Sequence, residues 1–114
     1  MEFSQDLIKG TFVPVILSLL KERQMYGYEM VKLVNARTNG ILEWKEGTLY
    51  PILHRLQAQR LITAQWQEAP GSAEQASRMR KYYRITSRGL AELARRSSEW
   101  RQLTSAVNAI MMGA

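Results

Sequence analysis

Glu46-Gly47-Thr48-Leu49-Tyr50-Pro51-Ile52-Leu53-His54-Arg55-Leu56 is the stretch on which the fold turns. Leu49, Ile52, Leu53 and Leu56 stand at i, i+3, i+4 and i+7, the stripe of an amphipathic helix with one buried side. Pro51 is expected in its first turn, where a missing backbone N–H costs no hydrogen bond. Thr48, Tyr50, His54, Arg55 and Gly47 are left on or beside the outward face, and most of them suit polar contact. The segments on either side decide what that face is for.

Upstream, Thr11 to Glu22 is apolar nearly all round, which predicts a helix buried on several sides. Pro14 belongs in its first turn with Thr11 as its cap, and Ser4 to Lys9 forms a separate or kinked lead-in. After a turn around Arg23 to Met25, a second helix is expected from Tyr26 or Gly27 to about Arg37, stopped by a left-handed Asn39-Gly40. Ile41 to Trp44 reads as a short strand. Downstream, Leu61 to Gln67 alternates, and Arg80 to Thr86 is rich in aromatic and branched residues. The two read as an antiparallel pair around a loop from Glu68 to Met79. Tyr82 and Tyr83 point to opposite strand faces, so one is expected in the core and the other partly exposed.

A last helix begins at Thr86 or Ser87 and runs to about Met112. Leu93, Trp100 and Val107 recur every seven residues along it, with Arg96, Leu103 and Ile110 in the second seam position. Leu90, Met111 and Met112 extend the stripe, and the Thr11–Glu22 helix is the expected packing partner. One small domain cannot bury all of this, so Leu90, Leu93, Trp100, Leu103, Val107 and Ile110 are expected at a homodimer interface. The fold class is mainly α with a small antiparallel β-ribbon: a winged helix-turn-helix plus a long C-terminal dimerisation helix. Residues 1–86 form the winged helix and 87–114 the dimerisation helix, in one compact unit.

A chain of 114 residues holds one core. It has no cysteine, which removes disulfides, thiolate nucleophiles and cysteine zinc sites. Its single histidine, His54, has no partner suggesting a metal site or a catalytic triad, and no glycine-rich phosphate loop is present. An enzyme and a bound cofactor are therefore not expected. No apolar run is long enough to span a bilayer and no leader precedes the first helix, so the expected location is the cytoplasm. The net charge is +6, and its placement is informative. Residues 1–77 carry eight Lys or Arg against eight acids, whereas residues 78–114 carry eight basic residues against two acids. The whole excess lies in the last third, most densely at Arg78, Arg80, Lys81, Arg84 and Arg88.

Four stretches resemble the PadR-like transcriptional regulators: Tyr26-Gly27-Tyr28-Glu29, the Glu46–Leu56 helix, Leu61-Ile62, and Arg80-Lys81-Tyr82-Tyr83-Arg84-Ile85-Thr86-Ser87-Arg88-Gly89. The resemblance spans roughly Asp6 to Trp100 and is similar to the short subfamily with a single C-terminal helix. It implies a homodimeric repressor on a near-palindromic operator, often released by a small aromatic effector. In that setting Tyr26, Gly27, Thr48, Tyr50, His54, Arg55, Arg78, Arg80 and Lys81 are the expected DNA contacts, and Trp100 the effector contact. There are plainer readings: Thr48 caps its helix and Tyr50 packs against its neighbours, Tyr26 and Gly27 form a simple junction, Arg55 is a surface charge, Arg78, Arg80 and Lys81 belong to a solvated basic face, and Trp100 is a packing anchor. Two other functions compete, a winged-helix protein-interaction adaptor without DNA readout and a membrane-surface helix. The basic wing speaks against the first, and the heptad seam against the second.

Overall fold

The computed structural model of the chain describes residues 3–69 and 79–113. A short α1 (Gln5–Ile8) leads into α2 (Phe12–Glu22), which carries Pro14 in its first turn as expected. Thr11 precedes α2 but does not cap it. Its hydroxyl donates back to the Ile8 carbonyl at 2.7 Å and so ties α1 to α2. Then come β1 (Met25–Tyr26) and α3 (Gly27–Arg37), which opens with the Glu29 carboxylate accepting from the Tyr26 backbone N–H at 3.3 Å. The left-handed stop is where the sequence puts it, with φ of 52° at Asn39 and 78° at Gly40.

Residues 41–44 are not a strand. The Leu42 N–H bonds the Thr38 hydroxyl at 3.0 Å, so the segment is held to the end of α3 and has no ladder to join. Trp44 turns inward instead, its ring 5.0 Å from that of Phe12. Helix α4 (Glu46–Ala58) starts at Glu46, which puts Pro51 in its second turn, not its first. The Gly47 carbonyl thereby loses its helical donor. Both residues lie on the exposed side, where water can satisfy that carbonyl.

β2 (Ile62–Glu68) and β3 (Met79–Ile85) form the antiparallel ribbon in a register running from Ile62 opposite Ile85 to Glu68 opposite Met79. The sheet has a third strand that the sequence did not announce. β1 pairs on the far side of β3, Met25 opposite Tyr83 and Tyr26 opposite Tyr82, giving the order β1-β3-β2. Two residues are too few to show alternation. This addition buries both tyrosines. Tyr83 enters the core with Leu49, Leu53 and Leu56, while Tyr82 is covered on the other face by Tyr26, ring to ring at 5.6 Å. The expectation that one of the pair stays partly exposed fails for that reason.

The last helix, α5 (Ser87–Met111), is joined to the core at its start. Thr86 accepts from the Gly89 N–H at 3.0 Å and donates through its hydroxyl to the Arg60 carbonyl at 2.8 Å. Its own N–H reaches the Leu61 carbonyl at 3.1 Å. Gly89 sits so close to that carbonyl that an added Cβ would lie 2.1 Å from the oxygen. Leu93 is 6% exposed and packed in this chain's core, and α5 lies against α2 over this first part. Beyond it the helix leaves the body. At roughly 37 Å it is longer than the core it starts from. The radius of gyration, 16.2 Å, exceeds the ~13 Å of a fully compact chain this size.

Gly89→Ala drives a methyl group into the Leu61 backbone and is expected to destabilise the protein by about 1–3 kcal/mol. Urea unfolding of the variant, read by far-UV circular dichroism against the parent, measures it.

Candidate nucleic-acid interface

On α4 the buried stripe Leu49, Ile52, Leu53 and Leu56 leaves the opposite arc to solvent. Gly47, Pro51, His54 and Ala58 fall along its middle, at i, i+4, i+7 and i+11. Thr48 and Arg55 flank it on one side and Tyr50 on the other. The centre of the face is thus low and nearly uncharged, with longer side chains at its edges. Thr48 lies inside the helix, three residues past Lys45 at the N-cap position, and makes no side-chain cap. The plainer reading of Thr48 as a cap is removed.

Gly27 has a different job from the one expected. It is buried, and an added Cβ would stand 2.7 Å from the Tyr50 hydroxyl and 2.8 Å from the ring carbon bearing it. The glycine makes room for Tyr50. Tyr50 therefore crosses from α4 onto the start of α3, with Tyr83 close behind it. Burial, with the Glu46 carboxylate adding to it, holds the Tyr50 phenol above its ordinary range. Burial and the neighbouring Tyr50 do the same for Tyr83. Both phenols are neutral at physiological pH, so the Tyr50 hydroxyl can donate a hydrogen bond.

The ribbon has two functional faces, because paired residues share a side and neighbours alternate. Ala64, Tyr83, Trp66 and Lys81 lie on the side that packs against the helices. Gln67, Arg80, Tyr82 and Arg84 lie on the other. Arg80 and Lys81, expected as one phosphate-binding group, consequently point to opposite faces. Only Lys81 shares the side that leads to α4. Arg80 caps the Tyr26 ring, its guanidinium carbon 4.3 Å from the centroid, and so belongs to the β1 side of the sheet. Arg78 lies outside the described residues.

That second face also carries a polar clasp. Gln24 and Gln67 exchange two amide hydrogen bonds, each 3.1 Å, and Arg84 Nε donates to the Gln24 carbonyl oxygen at 2.8 Å. It fixes the ribbon to the residue preceding β1, and hence to the start of α3. An open depression of ≈ 460 Å³ lies beside it, lined by residues that include Arg23, Glu29 and Arg80. None of these was legible in sequence, since Gln24 and Gln67 are 43 positions apart.

The charges on α5 are largely consumed locally. Arg95 bonds Glu92 at 2.7 Å and Glu99 at 2.5 Å, and Arg96 bonds Glu92 at 2.7 Å. These bonds hold the Glu92 carboxyl down at about 2. Among the described residues, Lys81, Arg80 and Arg88 make no ion pair. Within the basic last third, the described cations without an ion pair are thus Arg80, Lys81, Arg84 and Arg88 at the ribbon and the start of α5, and Arg101 farther along the helix. Of the seam residues, Leu93 is spent within the chain's own core. Leu90, Trp100, Leu103, Val107 and Ile110 remain exposed, Trp100 by 51%. Among the described residues no cluster of His, Asp and Glu could hold a metal ion, and no helix is long and apolar enough to cross a membrane.

An alkaline titration followed at 295 nm should show Tyr50 and Tyr83 ionising above the ordinary range of a phenol. Raised folded-state values mean that stability falls as pH climbs past about 10, where the unfolded phenols ionise. Tyr50→Phe should remove one late transition and shift Tyr83 earlier. Ionisation of Tyr50 and Tyr83 within the ordinary phenol range would contradict their packing.

Residues 16–95 match the Transcriptional regulator PadR-like family. A solved transcriptional regulator from Clostridium thermocellum is 32% identical with a TM-score of 0.84, over 96% of this chain and 99% of that one. A PadR family regulator from Eggerthella lenta is 34% identical with a TM-score of 0.78, over 93% of this chain and 86% of that one. An uncharacterised protein of Lysinibacillus sphaericus is 35% identical over 95% of this chain and 94% of its own length. The sheet, the recognition helix and the long last helix agree with these likenesses, and the chain belongs to the PadR-like family of transcriptional regulators, DNA-binding proteins and not enzymes.

Proposed function

We propose that this regulator is a homodimeric repressor that reads a near-palindromic operator with two copies of α4 in successive major grooves. The observation that carries the reading is the solvent-facing arc of α4 beside the uncompensated cation Lys81. Thr48, His54 and Arg55 are positioned for base edges and phosphates, with Arg55 able to make the two-bonded contact to guanine. Tyr50 would donate to a phosphate at the junction of α3 and α4, and Tyr26 and Arg80 would approach the flanking backbone. Residues 1–86 act as the DNA-binding unit, in the cytoplasm where the DNA is.

Dimerisation is carried by residues 87–114. Among the described residues the outer part of α5 has no partner in its own chain, and three or four turns of unpacked helix are marginal in water. Trp100, Leu103, Val107 and Ile110 follow one another at spacings of three, four and three, a narrow seam suited to a second copy. An isologous pairing of two such helices sets the separation of the recognition helices. Trp100 is also where a flat aromatic effector would stack between subunits. It would release DNA only by favouring a dimer in which the two copies of α4 no longer match successive grooves.

Titration onto duplex from the chain's own upstream region, with scrambled duplex as competitor, tests operator reading. Lys81→Ala is expected to flatten the salt dependence of log affinity by about one unit of slope, and Arg55→Ala to relax the preference between the two duplexes. Equal affinity for both duplexes with the parent protein would sink specific repression. Separately, sedimentation should give a dimer for the parent and a monomer for Leu103→Asp/Ile110→Asp. A parent that sediments as a monomer at tens of micromolar would exclude the seam.

A further inference from the structure

Trp66 is the largest side chain that the fold leaves without employment. It is 61% exposed, on a strand whose preceding inward residues, Ile62 and Ala64, pack against the core. No ring contact or hydrogen bond engages it among the described residues. Its cross-strand partner is Lys81, and the next pair outward is Glu68 with Met79, itself 50% exposed. These four residues continue the helix-packing side of the sheet beyond the point where helices cover it. Proceeding outward along that side, the order is Tyr83 next to Tyr50 of α4, then Lys81 with Trp66, then Met79 with Glu68.

We propose that Trp66, supported by Met79, is an apolar DNA contact that packs against the sugar edges of the minor groove next to the major groove held by α4. The proposal rests on the operator-binding reading above and assigns to the ribbon a role that its cations alone cannot fill. A groove wall is apolar at its deoxyribose rings and anionic at its rims. Trp66 beside Lys81 matches that pattern, the indole for the sugar and the ammonium for the phosphate. Apolar side chains are used in this way to grip and wedge the minor groove. A second copy of this chain is a poorer occupant, because the pairing stripe lies on α5 and two like-charged ribbons would repel.

The test uses the full chain and a duplex enriched from a random pool by the wild-type protein. Trp66→Ala is expected to bind that duplex on the order of tenfold more weakly with an unchanged salt slope, since no counterion is released by an indole. Trp66→Phe should recover most of the affinity, and the change in tryptophan emission on adding duplex should be lost in it. Thermal unfolding should match the parent, because the side chain supports no core. Wild-type affinity in Trp66→Ala, or a loss of affinity accompanied by a flatter salt slope, would overturn the proposal. So would dissociation of the dimer by Trp66→Ala in sedimentation. If the wild-type protein enriches no sequence from the pool, the operator-binding reading fails, an outcome separable from a wild-type protein that binds and is indifferent to Trp66.

Discussion

Gly89 sits so near the Leu61 carbonyl that no Cβ fits between them, and the placement of the last helix depends on this contact. With no Cβ at position 89, α5 starts directly on the turn between α4 and β2, and Thr86 bonds Arg60 and Leu61, two of that turn's three residues. Arg60, held at a φ of 63°, shapes the turn from the other side. The direction in which α5 leaves the core is therefore set by this backbone approach and the Thr86 bonds, together with the packing of Leu93 and α2. Because α4 ends at the same turn, recognition helix and long helix share one rigid junction. Whatever pairs with the outer part of α5 inherits a fixed geometry toward the face of α4.

The elements with a strong period were legible in the sequence. The buried stripe of α4, the apolar α2 and the alternating ribbon each carry enough residues for burial to imprint a pattern, and the boundaries of α3 and α5 follow from local chemistry at Asn39-Gly40 and Thr86. Readings failed where a tertiary partner overrode a local tendency. Residues 41–44 have strand-like side chains but no strand beside them, and Tyr82 is buried because β1, two residues long, supplies a cover no pattern could reveal. The rule that puts proline in a first turn fails for Pro51, because the helix begins at Glu46, five residues ahead of it.

The site was legible as composition and less so as geometry. The basic cluster and the outward residues of α4 were apparent from spacing and charge. What spacing could not show is how the residues divide among surfaces. Adjacent Arg80 and Lys81 face opposite ways on a strand, Gly27 serves Tyr50, and Leu93 belongs to its own chain's core while Trp100, seven residues on, does not. The cations of α5 looked like part of the basic excess, yet Glu92 and Glu99 neutralise Arg95 and Arg96 along the helix. Of the described basic residues in the last third, that leaves Arg80, Lys81, Arg84, Arg88 and Arg101 without an ion pair.

The Gln24–Gln67 clasp has a consequence of its own. A reciprocal amide pair carries no net charge, and each of its hydrogen bonds contributes about 0.5–1.5 kcal/mol whatever the ionic strength. Even Arg84 enters it through a neutral acceptor. Screening that weakens every contact with a phosphate leaves the attachment of the ribbon nearly untouched. The protein thus meets its partner with a wing whose posture is indifferent to salt, so that ionic conditions tune how tightly it holds without altering the shape it presents.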